Sequence, residues 1–263
     1  MSTTTTTPPG ATASVALDGV TKVYGRGEHA VPALDRLSLD VVPGEFVCLV
    51  GASGCGKSTL LNLVAGLDRP TAGRIRVGGA QRPPISPGLM FQEPALFPWL
   101  TVEANVDLPL RLRGLPRAER RERVADLLRA VHLAGFARHR PHQLSGGMRQ
   151  RVALARTLAL DTPVLLMDEP FGALDAMTRD LLHDELERIW SQRRLTVLFV
   201  THNVREAARL ADRIVLLSSR PGRILHTTEV TVPRPRRIDS PEVAAIAADV
   251  TDRLRTEVGR HGR

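Results

Sequence analysis

The chain has 263 residues, 43% of them hydrophobic, enough to bury a sizeable core as one large domain or two. It contains no apolar run of about 18 residues or more, so no membrane-spanning helix is predicted. A formal net charge of +8 rests on 36 basic residues of which only Lys22 and Lys57 are lysines. The arginines scatter in small clusters, at Arg120-Arg121-Arg123, Arg193-Arg194 and Arg234-Arg236-Arg237, and read as solvated faces and helix ends rather than as a nucleic-acid stripe.

Residues 1–14 form a Thr/Pro/Gly tract with no charged or apolar leader segment, and a disordered tail is expected there. Strand patterns begin at Val15. The apolar run Phe46-Val47-Cys48-Leu49-Val50 enters Gly51-Ala52-Ser53-Gly54-Cys55-Gly56-Lys57-Ser58-Thr59, a strand running into a glycine loop and then a helix. Cys48 and Cys55 fall in a buried strand and in this loop, so they form no disulfide framework, and a cytosolic setting is expected. Gly88-Leu89-Met90-Phe91 is strand-like. From about 93 to 157 the pattern turns helical, most clearly at 117–132, where Val124, Leu127, Leu128 and Val131 recur at helix spacing. Strand–helix alternation returns over 161–217, with apolar strands at 164–169 and 197–201. A Pro/Arg-rich link follows from about residue 225. It leads to a short amphipathic helix starting near Pro241, with Val243, Ile246, Val250 and Leu254 on one stripe.

The residue types in the glycine loop carry chemistry. Glycines let backbone N–H groups crowd around phosphates, and the helix that follows offers its positive end. Lys57 would reach the β- and γ-phosphates, and the Ser58 hydroxyl would ligate Mg²⁺. Asp168 and Glu169 close an apolar strand, which is where sites form in parallel sheets. Asp168 would hold the Mg²⁺ shell and Glu169 would polarise the attacking water as general base. Ser145-Gly146-Gly147 opens another helix, with Ser145 a natural N-cap and the glycines exposing backbone donors, a second anion site.

These segments, in this order, closely resemble the ATPase subunits of ABC transporters. Gln92 looks like the Q-loop glutamine, on the Mg²⁺ and water side of the site. Gly172-Ala173-Leu174-Asp175 resembles the D-loop, and His202, after a strand, resembles the switch histidine. Tyr24 matches the aromatic that stacks on adenine. The resemblance covers about 15–224. It implies an α/β fold with a phosphate-loop NTPase (RecA-like) core, an N-terminal antiparallel β subdomain and an inserted α-helical subdomain. By this resemblance ATP and Mg²⁺ are bound by Tyr24, Gly51, Ser53, Gly54, Cys55, Gly56, Lys57, Ser58, Thr59, Asp168 and Gln92. Ser145, Gly146, Gly147 and Asp175 belong to the same nucleotide site, and Glu169, His202 and Gln92 carry the catalysis.

The family implies a head-to-tail dimer, with each ATP lying between one chain's phosphate loop and the partner's Ser145-Gly146-Gly147. Two transmembrane permease subunits and a periplasmic or lipid-anchored binding protein complete such a system, placing this chain on the cytoplasmic face of the membrane. The segment Leu96-Phe97-Pro98-Trp99-Leu100-Thr101-Val102, together with Ser219-Arg220-Pro221-Gly222-Arg223-Ile224, looks like the nitrate/sulfonate/taurine group of bacterial importers. Phe97, Pro98 and Trp99 would then meet the permease. Asn203 departs from the aspartate common at that position. An exporter or lipid-extraction ATPase and a soluble nucleic-acid-associated ABC ATPase are the alternatives. The last is disfavoured because such proteins usually carry two cassettes or a long coiled-coil insertion.

Overall fold

A computed structural model describes residues 13–78 and 86–261. The strands are β1 (Val15–Tyr24), β2 (Val31–Val41), β3 (Phe46–Val50), β4 (Ala72–Val77), β5 (Gly88–Met90), β6 (Val164–Asp168), β7 (Thr196–Val200), β8 (Arg213–Leu217) and β9 (Ile224–Glu229). Between and after them run the helices α1 (Lys57–Val64), α2 (Val102–Leu112), α3 (Arg117–Ala130), α4 (Gly146–Leu158), α5 (Ala176–Arg193), α6 (Val204–Leu210) and α7 (Pro241–His261).

The unbroken apolar runs became central strands. β3, β6 and β7 are buried at every position, as strands are when both faces of a parallel sheet are covered. They sit inside a six-stranded sheet ordered β5-β6-β7-β3-β8-β9, parallel except for the antiparallel β8–β9 edge. Phe46, Cys48 and Val50 face one core, shared with α2 to α7. Val47 and Leu49 face a second, shared with Leu60, Leu61 and Val64 of α1 and with the small antiparallel sheet β2-β1-β4. Each fully buried aliphatic or Phe side chain in these cores contributes about 1.5–3 kcal/mol of transfer free energy.

Parallel pairing has a functional consequence. It brings the carboxyl ends of β5, β6, β7, β3 and β8 to one edge of the sheet. From those ends emerge Gln92, Asp168-Glu169, His202, the glycine loop and residues 218–223.

Several expectations are corrected. Most of the tail expected over 1–14 lies outside the described residues, but Ala13 is buried and its carbonyl accepts the Thr196 hydroxyl at 2.6 Å. The link expected from residue 225 does not begin there, because Ile224–Glu229 is β9, paired along β8. Its alternating burial marks a half-covered edge, a weaker sequence signal than an apolar run. The C-terminal helix is not short. α7 runs 21 residues, burying Val243, Ala247 and Val250 on one stripe.

Nor are the arginine clusters simply solvated. Arg234 stacks over Trp190 at 4.2 Å and bonds Asp212 and the Leu210 carbonyl. Arg236 is buried and donates to the carbonyls of Val232, Arg209, Ala211 and Val230. Burial, with Arg234 adding to it, lowers its pKa to about 10. Arg120 pairs with Asp107, while Arg123 and Arg193 converge on Asp161.

Candidate active site

β3 delivers the chain into a loop with no room for side chains at two points. A Cβ on Gly51 would lie 2.8 Å from the Cys55 sulfur, and one on Gly56 would lie 2.8 Å from the Ala33 carbonyl oxygen. Gly56 is also left-handed at φ 101°, a conformation that glycine adopts freely. α1 starts immediately after it, with no side-chain cap and no acidic residue in its first turn. Its first N–H donors and positive end are therefore open to an anion. Lys57 is buried and donates to the carbonyls of Gly51 and Ala52, both at 2.9 Å. Cys55 faces inward, with Lys57 Nζ 3.7 Å from its sulfur, so the loop can offer a ligand the backbone of this residue rather than its thiol.

Across the cradle, Asp168 ends β6. Burial pushes its carboxyl above the usual range; the Ser58 hydroxyl hydrogen bond opposes this, the neighbouring Glu169 charge adds to it, and Lys57 counters again. The structure thus brings Ser58 and Asp168 together. A hydroxyl and a carboxylate are hard oxygen donors, the kind that suit Mg²⁺ when substrate phosphates and water complete the shell. Among the described residues no group of three or more His, Cys, Asp or Glu could hold a metal by itself.

Glu169 follows with φ 45°, a left-handed conformation costing a non-glycine residue about 1–3 kcal/mol. Its N–H donates to the Val200 carbonyl at 2.9 Å, so the bend is held by β7. Its side chain gathers two of the other expected catalytic residues. Oε2 accepts from Gln92 Nε2 at 3.3 Å and lies 3.1 Å from His202 Nδ1. Two side chains, 77 and 33 positions away from Glu169 in the chain, meet on one of its carboxylate oxygens. His202 is two-thirds exposed and Glu169 mostly covered, so the cluster opens outward through the imidazole.

Other polar residues surround this cluster, and apart from Asn203 no local motif marks them in the sequence. Fully buried His183 of α5 sits 2.7 Å from Glu206, whose other oxygen takes the Thr201 hydroxyl beside His202. Arg209 spans His183, Asp180 and Asp184. Asn203 caps α6 by accepting from the N–H groups of Arg205 and Glu206. An asparagine caps as an aspartate does, which accounts for the departure noted in the sequence. Gln150 of α4 donates to the Gln92 carbonyl at 3.0 Å. Fully buried Asn105 binds the Phe97 N–H and carbonyl and the Leu100 and Thr101 carbonyls.

The remaining expected residues lie apart from this cluster. Ser145 accepts from Met148 N–H as the N-cap of α4, whose first residues are Gly146 and Gly147. A Cβ on Gly147 would lie 3.0 Å from Leu174, so this helix start packs against the stretch leading to Asp175, itself the N-cap of α5. Tyr24 is half exposed, its hydroxyl 3.2 Å from Asp68 and Lys22 Nζ 4.8 Å above its ring.

The sequence model of the ABC transporter family matches residues 34–172, more than half of the chain. The chain belongs to the ABC transporter family. An uncharacterised ABC transporter ATP-binding protein of Methanocaldococcus jannaschii is 45% identical over 92% of this chain and 91% of its own length. The taurine import ATP-binding protein of Burkholderia pseudomallei is 50% identical over 78% of this chain and 80% of its own. The nitrate import ATP-binding protein of Synechocystis is 47% identical over 81% of this chain and 80% of its own. Among solved structures, a dimeric bacterial ABC transporter cassette aligns with a TM-score of 0.75 at 36% identity, covering 83% of this chain and all of that one. This ABC ATPase therefore has the phosphate-loop fold expected from its motifs. The family match ends at residue 172, before Asp175 and His202; the contact between His202 and Glu169 ties the later segment to the same site.

Proposed function

We propose that this ABC ATPase hydrolyses MgATP at the edge of its parallel sheet to energise import of a small anion of the sulfonate, taurine or nitrate kind. The convergence of Gln92 and His202 on the Glu169 carboxylate is the observation that carries the catalytic part. The glycine loop and the open start of α1 hold the phosphates, with Lys57 turning from the Gly51 and Ala52 carbonyls to the β- and γ-oxygens. Tyr24 stacks on adenine. Ser58, Asp168 and Gln92 would hold Mg²⁺, which when bound would supply positive charge against the transferred phosphoryl. Glu169 takes the proton of the attacking water as its oxygen bonds to the γ-phosphorus and the bond to ADP breaks. Gln92 and His202 fix the carboxylate and present that water.

In a dimer like that of the structural neighbour, Ser145, Gly146, Gly147 and Asp175 face the partner's triphosphate and supply the remaining charge stabilisation. Among the described residues no helix is long and apolar enough to cross a membrane. The chain works peripherally, at the cytoplasmic face, on two permease subunits served by a separate binding protein. The names of the relatives support the importer reading and the anion class.

Affinity purification from membranes tests this. A multi-span permease should co-purify, and taurine, nitrate or alkanesulfonate with the cognate binding protein should stimulate ATPase activity of the reconstituted complex. Salt-sensitive nucleic-acid binding with no membrane partner would overturn it.

A further inference from the structure

Residues 218–223 leave the carboxyl end of β8, the strand beside β3, and pack on the outer side of the phosphate loop. They are stitched to β2. The Gly222 N–H donates to the Ala33 carbonyl at 2.9 Å, its own carbonyl accepts from the Asp35 N–H at 3.1 Å, and Arg223 bonds the Asp35 carboxylate. The Ser218 hydroxyl closes the turn, donating to the Pro221 carbonyl and accepting from the Arg223 N–H. From this base two contacts reach the phosphate loop. Arg220 Nε donates to the Gly54 carbonyl at 3.3 Å. The Gly222 backbone lies so close that a Cβ there would stand 2.3 Å from the Cys55 carbonyl oxygen. Behind, buried Glu257 of α7 accepts from the Ser219 N–H at 3.1 Å.

The peptide unit is planar, so fixing a carbonyl fixes the direction of the next N–H. Arg220 holds the carbonyl of the Gly54–Cys55 unit, whose N–H closes a turn on the Ala52 carbonyl at 3.3 Å, and the Gly222 backbone stops the Cys55–Gly56 unit from swinging outward. Those two units lie in the middle of the phosphate cradle. We propose that residues 218–222 brace the phosphate loop in its ligand-binding shape, with Arg220 and Gly222 as positioning residues, and tie it to α7 through Glu257. This rests on the reading that the loop holds the phosphates of ATP. It gives the Ser-Arg-Pro-Gly-Arg segment a task in nucleotide affinity and makes α7 a lever on that affinity.

The test is steady-state ATPase kinetics with thermal melting of the ligand-free full chain. Arg220→Ala should raise KM for ATP about five-fold while kcat stays within about two-fold and the melting midpoint is unmoved. Arg220→Lys should recover part of the affinity by restoring a cationic donor. Gly222→Ala should raise KM further, and Glu257→Gln should raise it less, in the same direction. Lys57→Ala is the control for the site itself. If Lys57→Ala binds ATP like the wild type, the site reading and the brace both fail. If Lys57→Ala loses binding while Arg220→Ala keeps its KM, the brace alone is overturned. Parallel losses of KM, kcat and melting midpoint in Arg220→Ala, unrelieved by lysine, would also overturn it.

Discussion

Truncating Trp99 should separate coupling from packing. Trp99 is 67% exposed, and its ring lies 5.6 Å from that of Phe97 between centroids. About a third of a tryptophan's contact area is thus covered, roughly 50–80 Å², worth about 1–2 kcal/mol at about 25 cal/mol/Å². In a chain of this size that lowers the melting midpoint by roughly 2–8 °C. Asn105→Ala offers the contrast. It removes four hydrogen bonds that pin residues 97–101 and leaves buried backbone groups unpaired, costing about 3–4 kcal/mol. If this segment transmits nucleotide state to the permease, Trp99→Ala keeps the basal ATPase rate of the isolated chain within about two-fold. The permease-stimulated rate should then fall about ten-fold or more. Asn105→Ala should lower stimulation and stability together. Basal rate, stimulated rate and melting midpoint measured on both variants decide the matter. The reasoning is refuted if Trp99→Ala retains full stimulation, or if its basal and stimulated rates fall in step with its stability.

Three further outcomes are expected. Ser145→Ala should cost about 1 kcal/mol through the lost N-cap and, beyond that, weaken the ATP-bound dimer of a hydrolysis-deficient variant on sizing chromatography; an unchanged dimer would remove Ser145 from the interface. Asp168→Asn should abolish the extra thermal stabilisation that Mg²⁺ adds to ATP, a rise the wild type loses on chelation with EDTA; a preserved Mg²⁺ increment would place the metal elsewhere. Alkylation of Cys55 should be slow, because its sulfur is buried, and saturating MgATP should slow it further; rapid modification insensitive to nucleotide would show that the loop opens independently of the ligand.

The parts legible in the sequence are those whose physics is local. A continuous apolar run followed by glycines, lysine and serine specifies β3, the loop and α1 within about 20 residues, and the carboxylates closing β6 are equally plain. Ser145 and Asp175 cap the helices that follow them, as their residue types suggest. What stayed hidden depends on distant pairing. Gln150 reaches the Gln92 carbonyl across 58 positions, and His183 meets Glu206 across 23, contacts that follow from sheet order rather than from any local pattern. The edge strand β9 has only weak alternation, and for that reason its sequence reads as a link. Arg234 and Arg236 read as surface charge, since composition cannot show that backbone carbonyls and Trp190 await them.

The central claim, that Glu169 is the base of an ATP-hydrolysing site, is tested most directly by Glu169→Gln. Glutamine has nearly the same volume and keeps an oxygen to accept from Gln92, so the fold and the cradle stay intact. Single-turnover hydrolysis and ATP binding are measured on the same preparation. The account predicts a rate about 100- to 10,000-fold lower, with ATP affinity within about three-fold of wild type. Wild-type turnover in Glu169→Gln would contradict it.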